Sequence, residues 1–159
     1  MLYLDSSALI KRFIQEAGTD ALNSKLQLEV QGPQDNLVSM VGYAEIFAMM
    51  ARRLRENLLQ QEEFELLQEK FNEDWLFNLG HVELTAGVLA FIPGLVKRHP
   101  LKGLDAIHLA SVLWLRDVWR HGKSFAGSSR AVEFVTSDKK LKNAASLEGL
   151  PVFDPENPQ

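Results

Sequence analysis

Short β-prone runs alternate with longer stretches of helical periodicity, and this alternation constrains the chain more than any other feature. Residues 1–4, 36–40, 81–84, 133–136 and 152–153 read as strands, each too short to be a helix. Between them, apolar residues recur at helical spacing. Leu22, Leu26 and Leu28 follow a Thr19-Asp20 start, and Phe47, Met50, Ala51 and Leu54 mark a helix over 43–55. Phe64, Leu67, Phe71 and Trp75 mark another over 60–78. Strand-helix alternation of this kind predicts a central, mainly parallel sheet covered by helices on both faces, a three-layer α/β/α domain.

Further local signals fill in the order. Ser6 or Ser7 is a candidate cap for a first helix through Ala8, Leu9, Ile10 and Phe13, ending near Gly18. Residues 31–35 read as a turn, and Gly80 as the end of the 60–78 helix. Thr85 can cap a helix through Val88, Leu89, Ile92 and Val96, which Pro93-Gly94 should interrupt. A strongly apolar helix spans 104–119, a Gly/Ser/Lys loop 121–130, and a last helix 138–147.

The length of 159 residues suits one domain, here residues 1–154, with a proline-containing tail 155–159 expected to fray. Cysteine is absent, which excludes a disulfide framework, a thiol nucleophile and cysteine-ligated metals. The sequence contains no signal-peptide pattern and no apolar run of membrane-spanning length, so a cytoplasmic protein without membrane association is expected. The net charge of −4 argues against holding nucleic acid by bulk electrostatics, so any such role needs a local site.

Four acids converge on one candidate site. Asp5 follows the first strand, and Asp138 follows the strand at 133–136. Glu45 and Asp105 each lie in the first turn of a helix. In a parallel sheet all four face the carboxyl edge, where ligands bind in open α/β folds. Helix capping explains any one of them, Asp138 best of all. Glu45 and Asp105 resist that account because their surroundings are apolar, and an unpaired buried acid costs roughly 3–5 kcal/mol. Nearby cations are few, chiefly Lys11, Arg12 and Lys102. A hard divalent ion bound by carboxylate oxygens is the natural counter-charge.

The segments Leu2-Tyr3-Leu4-Asp5-Ser6-Ser7-Ala8-Leu9, Tyr43-Ala44-Glu45-Ile46, Leu104-Asp105-Ala106-Ile107-His108-Leu109-Ala110 and Val135-Thr136-Ser137-Asp138 resemble the PIN-domain ribonucleases. The likeness is strongest to the VapC-type toxins of toxin–antitoxin pairs, and runs in order from Met1 to about Asp154. It implies an endoribonuclease dependent on Mg²⁺ or Mn²⁺, with Asp5, Glu45, Asp105 and Asp138 as metal-binding and catalytic acids. It also implies supporting roles for Ser6 and Thr136, an RNA substrate, a homodimer and a cognate antitoxin.

Other readings are weaker. A phosphohydrolase of the haloacid-dehalogenase kind needs a second Asp two residues after the first, where this chain has Ser7. A PIN-fold module that binds RNA or protein without catalysis would not need all four acids. No Walker A loop, dinucleotide-binding loop, nucleophile elbow or His-Glu-x-x-His motif is present. His108, three residues after Asp105, reads as a buried, hydrogen-bonded structural histidine rather than a base. Lys139, Lys140 and Lys142 read as a solvated face or as phosphate contacts, and Arg52, Arg53 and Arg55 share that ambiguity. Trp75, Trp114 and Trp119 read as core or dimer contacts.

Overall fold

The computed structural model describes residues 1–29, 35–121 and 131–158. Five parallel strands form one sheet: β1 (Leu2–Leu4), β2 (Asn36–Ser39), β3 (Gly80–Val82), β4 (Glu133–Val135) and β5 (Val152–Phe153). Their spatial order is β3-β2-β1-β4-β5. Tyr3 stands in register with Leu37 on one side and Phe134 on the other, so β1 is the central strand. The chain winds outward from β1 through β2 to β3, then returns to the opposite side of β1 for β4 and β5. That reversal opens a crevice beyond the carboxyl ends of β1 and β4, where a doubly wound sheet takes its ligand.

Eight α-helices accompany the strands among the described residues: α1 (Ser6–Leu9), α2 (Thr19–Glu29), α3 (Val41–Arg55), α4 (Gln61–Phe77), α5 (Ala86–Leu89), α6 (Ile92–Arg98), α7 (Gly103–His121) and α8 (Lys139–Leu147). A 3₁₀ turn over Ile10–Arg12 extends α1. Successive strand residues point to opposite faces, and the core divides accordingly. Tyr3, Leu37 and Phe134 pack with Val88, Leu95, Leu109 and Leu141 from α5 to α8. Leu2, Leu4, Val38 and Val135 pack on the other face with Ala8, Leu22, Ile46, Met50 and Phe71. The three-layer expectation holds.

Several local expectations change. The cap of α1 is Asp5 itself, whose side chain accepts from the Ala8 amide, and not Ser6 or Ser7. Gly80 opens β3 instead of ending α4. The interruption near Pro93 falls earlier, at residues 90–91. Pro93 occupies the first turn of α6, where its missing N–H leaves no helical bond unmade. Pro155 and Glu156, at the start of the tail, contact the segment that follows α1. Buried Lys11 donates to Glu16 and Glu156 at 2.9 and 2.8 Å. Gly18, at φ +86°, lies so close to Pro155 that a Cβ would stand 2.7 Å from its carbonyl carbon. Most of the turn at 31–35 and of the loop at 121–130 lies outside the described residues.

Candidate active site

The last residue of β1 hands the chain to Asp5 at the crevice, and the polar sequence beside it explains how a carboxylate survives there at 3% exposure. Its Oδ1 accepts from the Ala8 amide at 2.9 Å and the Ser7 hydroxyl at 2.8 Å. Its Oδ2 accepts from the Thr136 hydroxyl at 2.6 Å. Thr136 and Ser7 each serve twice. Thr136 Oγ1 also accepts from the Asp138 amide at 3.1 Å, and Ser7 Oγ from the Ser137 amide at 2.9 Å. The β1–α1 and β4–α8 junctions are thereby joined through Asp5.

Every donor to Asp5 is neutral, and no lysine or arginine pairs with it among the described residues. Burial therefore raises its pKa, although the His108 charge and the Thr136, Ala8 and Ser7 hydrogen bonds work against the rise. Glu45 lies in the second turn of α3 and not in the first as expected, because the helix begins at Val41, and it has a different environment. Burial again opposes ionisation, but the His108 hydrogen bond and charge, with Ser6, outweigh it and leave its carboxyl below the usual range. Glu45 Oε2 accepts from Ser6 Oγ at 2.7 Å and lies 2.7 Å from His108 Nε2.

Asp105 and Asp138 spend their carboxylates on backbone amides at the starts of α7 and α8. Asp105 accepts from the Lys102 amide at 3.2 Å. Asp138 caps α8, accepting from Lys140 and Leu141, each at 2.8 Å. Asp5 and Glu45 are thus brought into one neighbourhood around His108. The other two stand one step away, Asp138 by its backbone link to Thr136 and Asp105 one turn along α7 from His108. Among the described residues, no three His, Asp or Glu side chains surround a point where one ion could touch them all. The donor chemistry nevertheless suits Mg²⁺ or Mn²⁺: hard carboxylate oxygens at Asp5 and Glu45, and a buried carboxylate at Asp5 that lacks a full cationic partner.

Sequence reasoning missed three members of this site. Ser7, considered only as a cap, supports Asp5. Tyr3 is a hydroxyl within an otherwise apolar strand, and that oddity was its one local signal. His108 is buried and hydrogen-bonded as expected, but its partners are Tyr3 and the site acid Glu45. The basic residues also sort out: Arg52 pairs with Glu56, Arg53 with Glu16 and Lys142 with Asp154. Lys139 and Lys140 remain exposed beside Asp138. Trp75 belongs to the aromatic packing of Tyr43, Phe71 and His81.

Known proteins place these features in context. No family model matches the sequence. The chain is 33% identical over 117 residues to Ribonuclease VapC45 and to Ribonuclease VapC49, from two strains of Mycobacterium tuberculosis. Each match covers 74% of this chain and 78% of the relative. Its fold matches FitAcB from Neisseria gonorrhoeae with a TM-score of 0.66 at 16% identity, over 98% of both chains. It also matches VapBC2 from Rickettsia felis, solved with a DNA fragment from its promoter, with a TM-score of 0.64 at 14% identity over 97% and 98% of the two chains. A toxin–antitoxin complex from Klebsiella pneumoniae follows, with a TM-score of 0.61 at 15% identity over 98% of both chains. With this fold and this degree of identity and coverage, the chain belongs to the VapC-type PIN-domain ribonuclease family.

Proposed function

We propose that this protein is a metal-dependent endoribonuclease, the toxin of a VapBC-type pair, which cuts RNA phosphodiesters by hydrolysis. The observation that carries the reading is Asp5, a carboxylate buried at the crevice of the sheet and held there by neutral donors only. An acid that destabilises its own fold is worth keeping when it serves a ligand. Asp5 and Glu45 would hold Mg²⁺ or Mn²⁺, with Asp105 and Asp138 as the further acids of the edge. When bound, such an ion supplies an activated water and stabilises charge on the phosphoryl and leaving oxygens.

The chain's own groups have definite tasks. Thr136 and Ser7 fix both oxygens of Asp5, and Ser6 fixes Glu45, so these hydroxyls are engaged as donors and none is set up as a nucleophile. Water is then the attacking group. Lys139 and Lys140 flank the site and suit the phosphate backbone, where contacts position RNA without reading its sequence. A neutralising antitoxin belongs to this proposal, supported by the toxin–antitoxin assemblies among the matching folds, and a homodimer belongs to it as an implication of the family resemblance.

The test mixes purified protein with structured RNA, with and without Mg²⁺ or Mn²⁺, beside Asp5→Asn. Internal cuts that require metal and fall by about 1,000-fold in Asp5→Asn are the expected result, a loss of several kcal/mol of transition-state stabilisation. Equal cutting by the variant, or no cutting by the wild type across a broad RNA panel, rejects the reading.

A further inference from the structure

Glu45 is a long, partly exposed side chain, 20% accessible, yet it is held from two other elements. Ser6 at the start of α1 donates to its Oε2, and His108 of α7 faces the same oxygen at 2.7 Å. A carboxylate only accepts, so His108 Nε2 carries a hydrogen and donates it. On the other side of the ring, Nδ1 lies 3.0 Å from the Tyr3 hydroxyl. Tyr3 is fully buried, and its hydroxyl can complete the ring's second bond by donating to a bare Nδ1 or accepting from a protonated one.

The far end of this chain of contacts is rigid. Tyr3 sits in the central strand, locked in register between Leu37 and Phe134. Its ring meets Phe134 edge-on at 5.6 Å and His108 at 6.0 Å. Rotating the imidazole would break both of its hydrogen bonds inside the core. A histidine present only to fill that core would need Tyr3 and nothing more. Its second bond runs outward instead, to an acid at the crevice whose Oε1 accepts no hydrogen bond among the described residues.

We propose that Tyr3 and His108 are positioning residues for Glu45, anchoring one carboxylate oxygen to the central strand while the other faces the crevice. The inference rests on the ribonuclease reading for its use, and on the contacts above for its existence. A partner that orients a metal-binding acid is worth about 10–100-fold in metal affinity or activity.

The experiment compares His108→Leu, His108→Gln and Tyr3→Phe with wild type, all first checked for folding by circular dichroism. Mn²⁺ affinity is read by electron paramagnetic resonance without RNA, and kcat and KM are read with RNA. His108→Leu, similar in size but without a donor, should lose about tenfold or more in Mn²⁺ affinity and kcat. KM for RNA should change far less. His108→Gln, whose amide N–H can replace Nε2–H, should recover most of that loss, and Tyr3→Phe should fall between. A folded His108→Leu with wild-type Mn²⁺ affinity and kcat overturns the proposal, and so does an equal loss in the Leu and Gln variants. Should His108→Leu not fold, Tyr3→Phe at wild-type level overturns it, and Tyr3→Phe below His108→Gln supports it. Mn²⁺ binding that falls in Leu and returns in Gln, from a wild type that cuts no RNA, keeps the positioning role and rejects the ribonuclease reading instead.

Discussion

Asp5 and Asp74 are both nearly sealed from solvent, at 3% and 8% exposure, but their surroundings divide sharply. Asp74, in α4, receives both arms of Arg12, with Nε at 2.9 Å and Nη2 at 2.8 Å, and a further bond from Asn78 at 3.0 Å. Its charge is answered within the fold, and the pair fastens the α1 region to α4. Asp5 receives hydroxyls and one amide, and burial raises its pKa. Two residues of one type at similar depth thus do opposite work. The paired acid holds the structure together, and the acid without a full cationic partner is held in place by the structure.

The largest expected contrast comes from deleting one side of each arrangement. Arg12→Leu strands the Asp74 charge and should lower unfolding free energy by about 3 kcal/mol, toward the low end for broken buried pairs because both side chains keep some solvent contact. Asp5→Asn removes a poorly compensated charge while keeping a cap acceptor for Ala8, so its stability should match or slightly exceed wild type. Urea unfolding at pH 7 checks both. An Asp5→Asn protein less stable than Arg12→Leu would erase the distinction drawn between the two aspartates.

A smaller effect is expected at Thr136. Thr136→Val keeps the shape but removes the donor to Asp5 Oδ2 and the acceptor for the Asp138 amide. Stability should fall by about 1–2 kcal/mol, and RNA cutting by about tenfold, while Thr136→Ser stays near wild type. A Thr136→Val protein as active as wild type would show that Asp5 needs no such anchoring.

The smallest effect is one of slope with pH. Asp154 is a paired acid of the Asp74 kind. Burial raises its pKa, but Lys142, Asn157 and the Glu156 amide more than offset that and leave it below the usual carboxylate value of 3.8. A lowered folded pKa gives stability that is present above the unfolded value and lost as pH falls through the folded one. Asp5 is raised, so its contribution runs the other way, present below the unfolded value and lost as pH rises through the folded one. In urea titrations between pH 3 and 7, the stability advantage of wild type over Asp154→Asn should shrink on acidification. Relative to Asp5→Asn, wild type should gain. Parallel slopes for the two variants would remove the electrostatic basis of the comparison.

Much of the architecture was legible from local pattern. The strands at Leu2–Leu4 and Glu133–Val135, the helices at Val41–Arg55 and Gln61–Phe77, and the acids at their ends all follow from periodicity and capping chemistry, which act over a few residues. The misread details are also local but are decided by competition. Asp5 outbids Ser6 and Ser7 as cap because its carboxylate reaches the Ala8 amide while Ser7 is drawn to Asp5 itself. Glu156, just past Asp154, pairs with Lys11, 145 residues away in sequence, and no composition rule anticipates that contact.

Sequence pattern therefore sufficed to single out four acids as candidates for one edge of a parallel sheet, because alternation of strand and helix dictates which end of each strand meets the crevice. Only the folded chain decides which of those acids is buried without a full cationic partner, which is spent on a helix cap, and which is held by a histidine. Tyr3 and His108 are 105 residues apart, and His108 and Glu45 are 63 apart. Contacts over such separations depend on strand order and helix packing. No spacing along the chain encodes them, and this is why the sequence alone marks His108 only as a core residue.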